Sequence, residues 1–186
     1  MVPDNVFDII KDILKQKDPK NKFLEEVGAP ISKEKVKLPS PMSSLDKIKP
    51  NTDSLIVWKK IYLGPYTLSD KLDGVSGLLC KSSKGKVKLY TRGNGEYGQD
   101  ITHLIPFVVK SNLSTMPNNV EIRGELIISK KNFKQIKNIM ANARNAVAGL
   151  VNAKHYSKKI ANITTFVAYS IVKPRYKYSD QMTHLE

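Results

Sequence analysis

The chain has 186 residues, 40% of them hydrophobic and 26% charged, and a formal net charge of +14. That length and apolar content describe one ordinary folded domain with room for a small appendage. No apolar run approaches the roughly 18 residues of a membrane-spanning helix, and the N-terminus lacks a signal-peptide pattern. A single cysteine, Cys80, excludes an internal disulfide framework and suits a reducing compartment.

The charge is uneven. Residues 61–186 hold 19 Lys+Arg against 8 Asp+Glu, so +11 of the +14 lies there. A surplus of this size favours polyanionic partners. Lysine outnumbers arginine 27 to 4, so phosphate contacts would be mostly point-charge, with few bidentate forks.

In chain order, Asp4 is placed to cap a helix whose apolar residues Val6, Ile9, Ile10, Ile13 and Leu14 follow helical spacing, and Asp18-Pro19 ends it. Residues 31–50, rich in Lys, Pro and Ser, read as linker and loop, and include Ser44-Leu45-Asp46. A short amphipathic segment from Leu55 to Ile61 carries Trp58, expected in the core, and precedes Gly64-Pro65. Residues 75–80, a polar turn at 82–85 and residues 87–90 read as a hairpin that folds Arg92 back toward Lys71. Over residues 120–126, Val120, Ile122 and Leu126 face one side while Glu121, Arg123 and Glu125 face the other, and Ile127 breaks the alternation. Ser129 is expected to cap a helix presenting Phe133, Ile136, Ile139 and Met140 to the core. A last strand runs from Thr164 to Val172 and stops at Pro174. Hairpins with helices at intervals predict an α+β domain.

The residues that could carry chemistry fall in an ordered series: Lys71-Leu72-Asp73-Gly74, Thr91-Arg92-Gly93-Asn94-Gly95, Gly98-Gln99-Asp100-Ile101-Thr102, Glu121-Ile122-Arg123-Gly124-Glu125 and the stretch 141–149 around Arg144. A lysine nucleophile must lose its proton near neutral pH, which partial burial or a nearby cation such as Mg²⁺ or Arg92 favours. Asp73, two residues along a strand, would share its face, and Gly74 would let a base or phosphate approach the backbone. Arg92 offers a fork to ribose and phosphate oxygens. Glutamates flanking Arg123 suit ribose hydroxyls or a metal, although the same three residues also fit a surface ladder. Arg144 sits among small residues, a setting for close backbone packing around a positioned guanidinium. The three histidines, His103, His155 and His184, have no metal-like spacing.

Taken together, the series resembles the adenylation core of the NAD-dependent DNA ligases, and the resemblance runs from Asp4 to the C-terminus. The KxDG element is shared with the wider lysine nucleotidyltransferases; the other motifs are particular to the NAD-dependent group. The resemblance implies a lysine nucleotidyltransferase fold with mixed, largely antiparallel sheets. It divides the chain into a partial nicotinamide-binding segment and linker at 1–40 and an adenylation domain at 41–186, truncated at its C-terminal end. Lys71 would attack the α-phosphate of NAD and become adenylated, supported by Asp73 and Arg92. Ser44 and Leu45 would lie beside the nucleotide, Glu125 would contact its ribose and Tyr169 would stack on adenine. Asp4, Phe7 and Asp8 would belong to the nicotinamide side, and Arg144 would serve the phosphate or the nick.

The resemblance further implies Mg²⁺, nicked double-stranded DNA, further ligase domains in the same or another chain, no membrane, and an intracellular, cytoplasmic location such as a nucleoid or viral replication site. Three residues depart from the family pattern. Ser69 stands in the adenine-contacting position where glutamate is usual, Asn152 replaces an arginine, and Phe7 a tyrosine. A catalytically incomplete DNA-binding or regulatory remnant is the alternative reading.

Overall fold

The structure, a computed structural model, describes residues 4–21, 24, 35–44, 47–49 and 52–185. The chain forms two units, residues 1–31 and 32–186. In the first, α1 spans Asp4–Lys17. Its last turn closes with Asp18 N donating to Leu14 O at 2.7 Å, and Pro19, which has no amide hydrogen, stops it there.

The second unit contains, in order, β1 (Val36–Lys37), α2 (Ser54–Ile61), β2 (Val75–Lys81), β3 (Val87–Thr91), β4 (Tyr97–Gly98), a 3-10 turn at Thr102–Leu104, α3 (Ile105–Val108), β5 (Val120–Ile128), α4 (Lys130–Phe133), α5 (Ala143–Asn152), α6 (Lys158–Ile163), β6 (Thr164–Lys173) and α7 (Tyr178–Leu185). Strands β3-β2-β5-β6 make one antiparallel sheet in that order, and β1 pairs with β4 in a second. This is the expected α+β class with antiparallel sheets.

Period-two alternation divides the larger sheet into two faces. Leu79, Leu89, Leu126, Ile128 and Phe166 pack with Leu104, Val108, Val147, Leu150 and Ile160 in the main core. Complete burial of leucines such as Leu89, Leu104 and Leu126 stabilises by about 1.5–3 kcal/mol each. On the opposite face Leu78, Cys80 and Tyr90 are covered by Leu38 and Met42. Burial, with Glu121 beside it, pushes the Cys80 thiol up to about 12.

The hairpin and the alternation in β5 form as expected, although β5 continues past Ile127 to Ile128. Other expectations need correction. Part of the stretch read as linker is fastened to the domain: β1 lies within it, Leu38 N donates to Glu96 O at 2.8 Å, and Met42 is only 2% exposed. Trp58 lies outside both cores; α2 has no buried residue, and the indole packs instead on Tyr62 and Tyr66, with ring centroids 5.4 and 5.0 Å away. Ser129 does cap α4, accepting from Asn132 N, but the helix ends at Phe133. The chain continues in successive tight turns that bury Ile136 and leave Ile139 exposed.

Candidate functional site

The chemistry-bearing residues gather at the end of the sheet where β2 and β5 meet. Ser76 and Glu125 are cross-strand partners, and Ser76 Oγ donates to Glu125 Oε2 at 2.9 Å. Glu125 is 8% exposed. Burial raises its pKa, opposed by the Ser76 hydroxyl, the Lys71 and Arg144 charges and the Gly74 backbone. Tyr169, half-buried on β6, is also pushed up, first by burial and then by Glu125; Arg123, Ser76 and Arg92 oppose the shift. It sits where the β5–β6 register slips between Arg123 and Gly124, an irregularity of the kind that re-aims a side chain. Lys71, Glu125, Tyr169, Arg92 and Arg144 therefore share one electrostatic neighbourhood, as the motif order implied.

Two expectations about the lysine motif fail. Lys71 and Asp73 lie in coil before β2 and are exposed, so no strand pleat aligns them. Gly74 is buried against protein: a Cβ there would stand 2.0 Å from Leu126 O. Close approach of β5 is by itself enough to require a glycine at 74. Asp73 instead accepts from Arg144 Nη1 at 3.1 Å, an exposed ion pair. The small residues around Arg144 do not enforce close packing at Gly149, where a Cβ would meet nothing within 4 Å.

Arg92 leaves β3 with its backbone N bonded to Ser76 O at 3.0 Å. Its Nε donates to Met42 O at 3.1 Å and its Nη2 to Ser44 Oγ at 2.5 Å. Gly93 and Gly95 adopt φ of +55° and +103°, which glycine tolerates and other residues rarely do; the turn they form brings Gly95 O to Met42 N at 2.7 Å. Ser44 is thus placed beside Arg92, while Leu45 and Asp46 lie outside the described residues. Ser69 is exposed in the coil before Lys71. Asp4, Phe7 and Asp8 fall within α1, and their side chains lie outside the description.

The 98–102 motif turns out to be scaffolding. Asp100 accepts from Lys88 at 3.0 Å and from Thr102 N at 3.0 Å, and Thr102 Oγ1 accepts from Leu89 N at 3.2 Å. Gln99, 3% exposed, donates from Nε2 to Asn152 Oδ1 at 3.0 Å, while its Oε1 is buried without a partner.

Two site-building residues escaped the sequence reading. Ser76 was foreshadowed only by being the polar residue in Val75-Ser76-Gly77-Leu78-Leu79-Cys80. Arg123, read as part of a face, donates through Nη2 to Pro41 O, a contact 82 residues away that no local pattern encodes.

Comparison with known proteins decides the family. The profile of the NAD-dependent DNA ligase adenylation domain matches residues 32–186. The chain belongs to that family. Among its ligase relatives, the DNA ligase of Acanthamoeba polyphaga mimivirus is 45% identical over 100% of this chain and 30% of its own length. A protein of Invertebrate iridescent virus 6 is 36% identical over 92% of this chain and 27% of its own. The DNA ligase of Pelagibacter ubique is 29% identical over 91% and 28%. This adenylation-domain chain therefore spans less than a third of the length of these relatives.

A separate cavity of about 360 Å³ lies at the far end of the same sheet face, among Pro39, Lys86, Lys88, Tyr90, Glu121 and Lys173. It includes none of the residues gathered around Glu125, where the charges and hydrogen bonds of the motif residues converge.

Proposed function

We propose that this chain forms a lysyl-AMP intermediate from NAD, the first step of nick sealing in DNA replication and repair. The supporting observation is the convergence of Lys71, Arg92, Glu125 and Tyr169 on one end of the sheet, with Ser76 fixing the carboxylate. Lys71 Nζ gives up a proton to solvent and forms a P–N bond to the α-phosphorus of NAD. The pyrophosphate P–O bond breaks, and nicotinamide mononucleotide leaves with its electron pair. Glu125, held by Ser76, accepts from the ribose hydroxyls, and Tyr169 offers its ring to adenine. Arg92 and Arg144 supply positive charge where the phosphates sit. By the family resemblance alone, Ser44, Leu45 and Ser69 would contact the nucleotide, and Asp4, Phe7 and Asp8 of the 1–40 segment would belong to the nicotinamide side.

Mg²⁺ fits these residues as a companion of the nucleotide. No group of three His, Cys, Asp or Glu able to cage an ion is present among the described residues, whereas an ion bound largely through phosphate and water needs only one or two carboxylates, and Asp73 is an exposed candidate. When bound, it would neutralise charge on the phosphates.

Nicked duplex DNA would be the acceptor of AMP, and the +14 charge supports a salt-sensitive interaction with it. Completing the ligation would need further ligase domains. Among the described residues no helix is long and apolar enough to cross a membrane. The intracellular, cytoplasmic location rests on the ligase family, whose substrate is DNA.

Intact-mass spectrometry after incubation with Mg²⁺ and either NAD or ATP tests the reading. An AMP adduct from NAD, mapped to Lys71 and lost in Lys71→Ala, is expected. An adduct from ATP alone would overturn the choice of NAD. No adduct from either would favour the alternative, a DNA-binding or regulatory remnant, a reading that the solvent exposure of Lys71 also favours.

A further inference from the structure

Residues 41–44 cross the site face of the sheet without belonging to any strand, yet they are tied down at three successive points. Arg123 Nη2 donates to the Pro41 carbonyl. Arg92 Nε donates to Met42 O at 3.1 Å, and Gly95 O accepts from Met42 N at 2.7 Å. Arg92 Nη2 closes the series on Ser44 Oγ at 2.5 Å. Two of the four arginines in this lysine-rich chain are thus directed at backbone carbonyls of one short segment. A guanidinium suits that task because its planar donors hold a fixed direction, where an ammonium turns freely. Arg123 also projects from the strand that carries Glu125, two residues away on the same face, and lies within electrostatic reach of Tyr169.

We propose that Arg123 is a positioning residue for lysine adenylation: with Arg92 it clasps residues 41–44 onto the sheet, so that Ser44 stands as a wall of the nucleotide site opposite Glu125 and Tyr169. The role assigned to Ser44 rests on the proposed function; the clasp itself does not. Arg123 touches no reacting atom. Its loss frees the segment and lowers the fraction of molecules able to receive NAD, which raises the apparent dissociation constant in inverse proportion to that fraction. The rate at saturation, set by Lys71 and the phosphate-facing cations, is preserved.

The test uses the whole chain with Arg123→Met and Arg123→Lys. Arg123 Nε is buried without a partner, so methionine also removes an unsatisfied donor while keeping the apolar stem, and the fold is expected to survive. Amide hydrogen exchange reads the clasp directly. In Arg123→Met the Met42 amide should exchange at least about tenfold faster, while Leu79 and Leu126 in the sheet keep their protection. Single-turnover adenylation should show the NAD concentration at half-saturation rising about tenfold or more, with the saturated rate within about threefold of the parent. Arg123→Lys, which can still donate to the Pro41 carbonyl but without a fixed donor direction, should fall between Arg123→Met and the parent in both effects. Unchanged Met42 protection in Arg123→Met would overturn the clasp. A fall in saturated rate at unchanged half-saturation would overturn the positioning role in favour of a direct one. If the parent chain forms no adduct from either nucleotide, the functional reading fails separately, and the exchange measurement still decides the clasp.

Discussion

Gly124, in the middle of the Glu121–Glu125 motif, offers a quantitative test of how the sheet builds the site. A Cβ at this position would lie 2.5 Å from Val167 O and 2.4 Å from Phe166 Cζ, the latter more than 1 Å inside ordinary carbon contact of about 3.5–4.0 Å. Neither neighbour yields easily. Val167 O belongs to β6, and the Phe166 ring is buried in the main core. Overpacking of this kind costs about 1–3 kcal/mol, with complete expulsion of the phenyl ring, at about 3–5 kcal/mol, as the ceiling. For a domain of this size each kcal/mol lowers Tm by about 2–4 °C, so Gly124→Ala should melt roughly 2–12 °C below the parent in a far-UV circular dichroism scan. Phe166→Leu shortens the side chain that a Cβ would strike. In a double-mutant cycle, Gly124→Ala should therefore cost less in the Phe166→Leu background, by about 1 kcal/mol or more. A Tm within about 2 °C of the parent for Gly124→Ala, or full additivity in the cycle, would refute the steric account.

Glu125→Gln should stabilise the fold at neutral pH while abolishing adenylation. The folded-state pKa of Glu125 is raised, so the proton-bound form is favoured by folding; the group's contribution is fully present below its unfolded pKa and lost as pH rises through the folded value. The Tm advantage of glutamine should accordingly appear as pH climbs through the carboxylate range, and a parallel pair of Tm–pH curves would contradict this. Asn152→Ala removes the partner of buried Gln99 Nε2 and should cost about 1–3 kcal/mol in denaturant unfolding, whereas Asn152→Arg, offering a donor toward the unpartnered Gln99 Oε1, should be tolerated better than alanine. The Asp73–Arg144 pair is exposed on both sides, so Asp73→Asn should change stability by less than about 1 kcal/mol while slowing formation of the AMP adduct. Binding to a nicked duplex, followed by fluorescence anisotropy, should weaken steeply with salt, because contacts to phosphate release counterions; a flat dependence would remove the electrostatic basis for DNA contact.

What the sequence disclosed and what it withheld divide along a physical line. Strand β5 was legible because its two-residue period reports directly which side chains enter the core, and the hairpin because a polar turn separates two apolar runs. The grouping of Lys71, Arg92, Glu125 and Tyr169 was legible through resemblance. Gly74 was misread because the atom that excludes a side chain there, Leu126 O, belongs to a strand some fifty residues downstream. Residues 36–42 resembled linker because they fall in the Lys-, Pro- and Ser-rich stretch 31–50, while their order comes from β4 and from carbonyl contacts that carry no side-chain signature. Trp58 was assigned to the core by its type, yet its partners are two tyrosines on its own and the following segment.

The chemistry of Cys80 has a practical consequence. Burial pushes its pKa up to about 12, which leaves little thiolate at neutral pH, and the residue packs with Leu38 and Met42 while also lining the cavity among Lys86, Lys88 and Tyr90. The native thiol is therefore a weak competitor for maleimides and methanethiosulfonates at neutral pH. A cysteine introduced at Ser69, exposed in the coil before Lys71, would react faster than Cys80 and take a fluorophore or spin label that reports arrival of a nucleotide in real time.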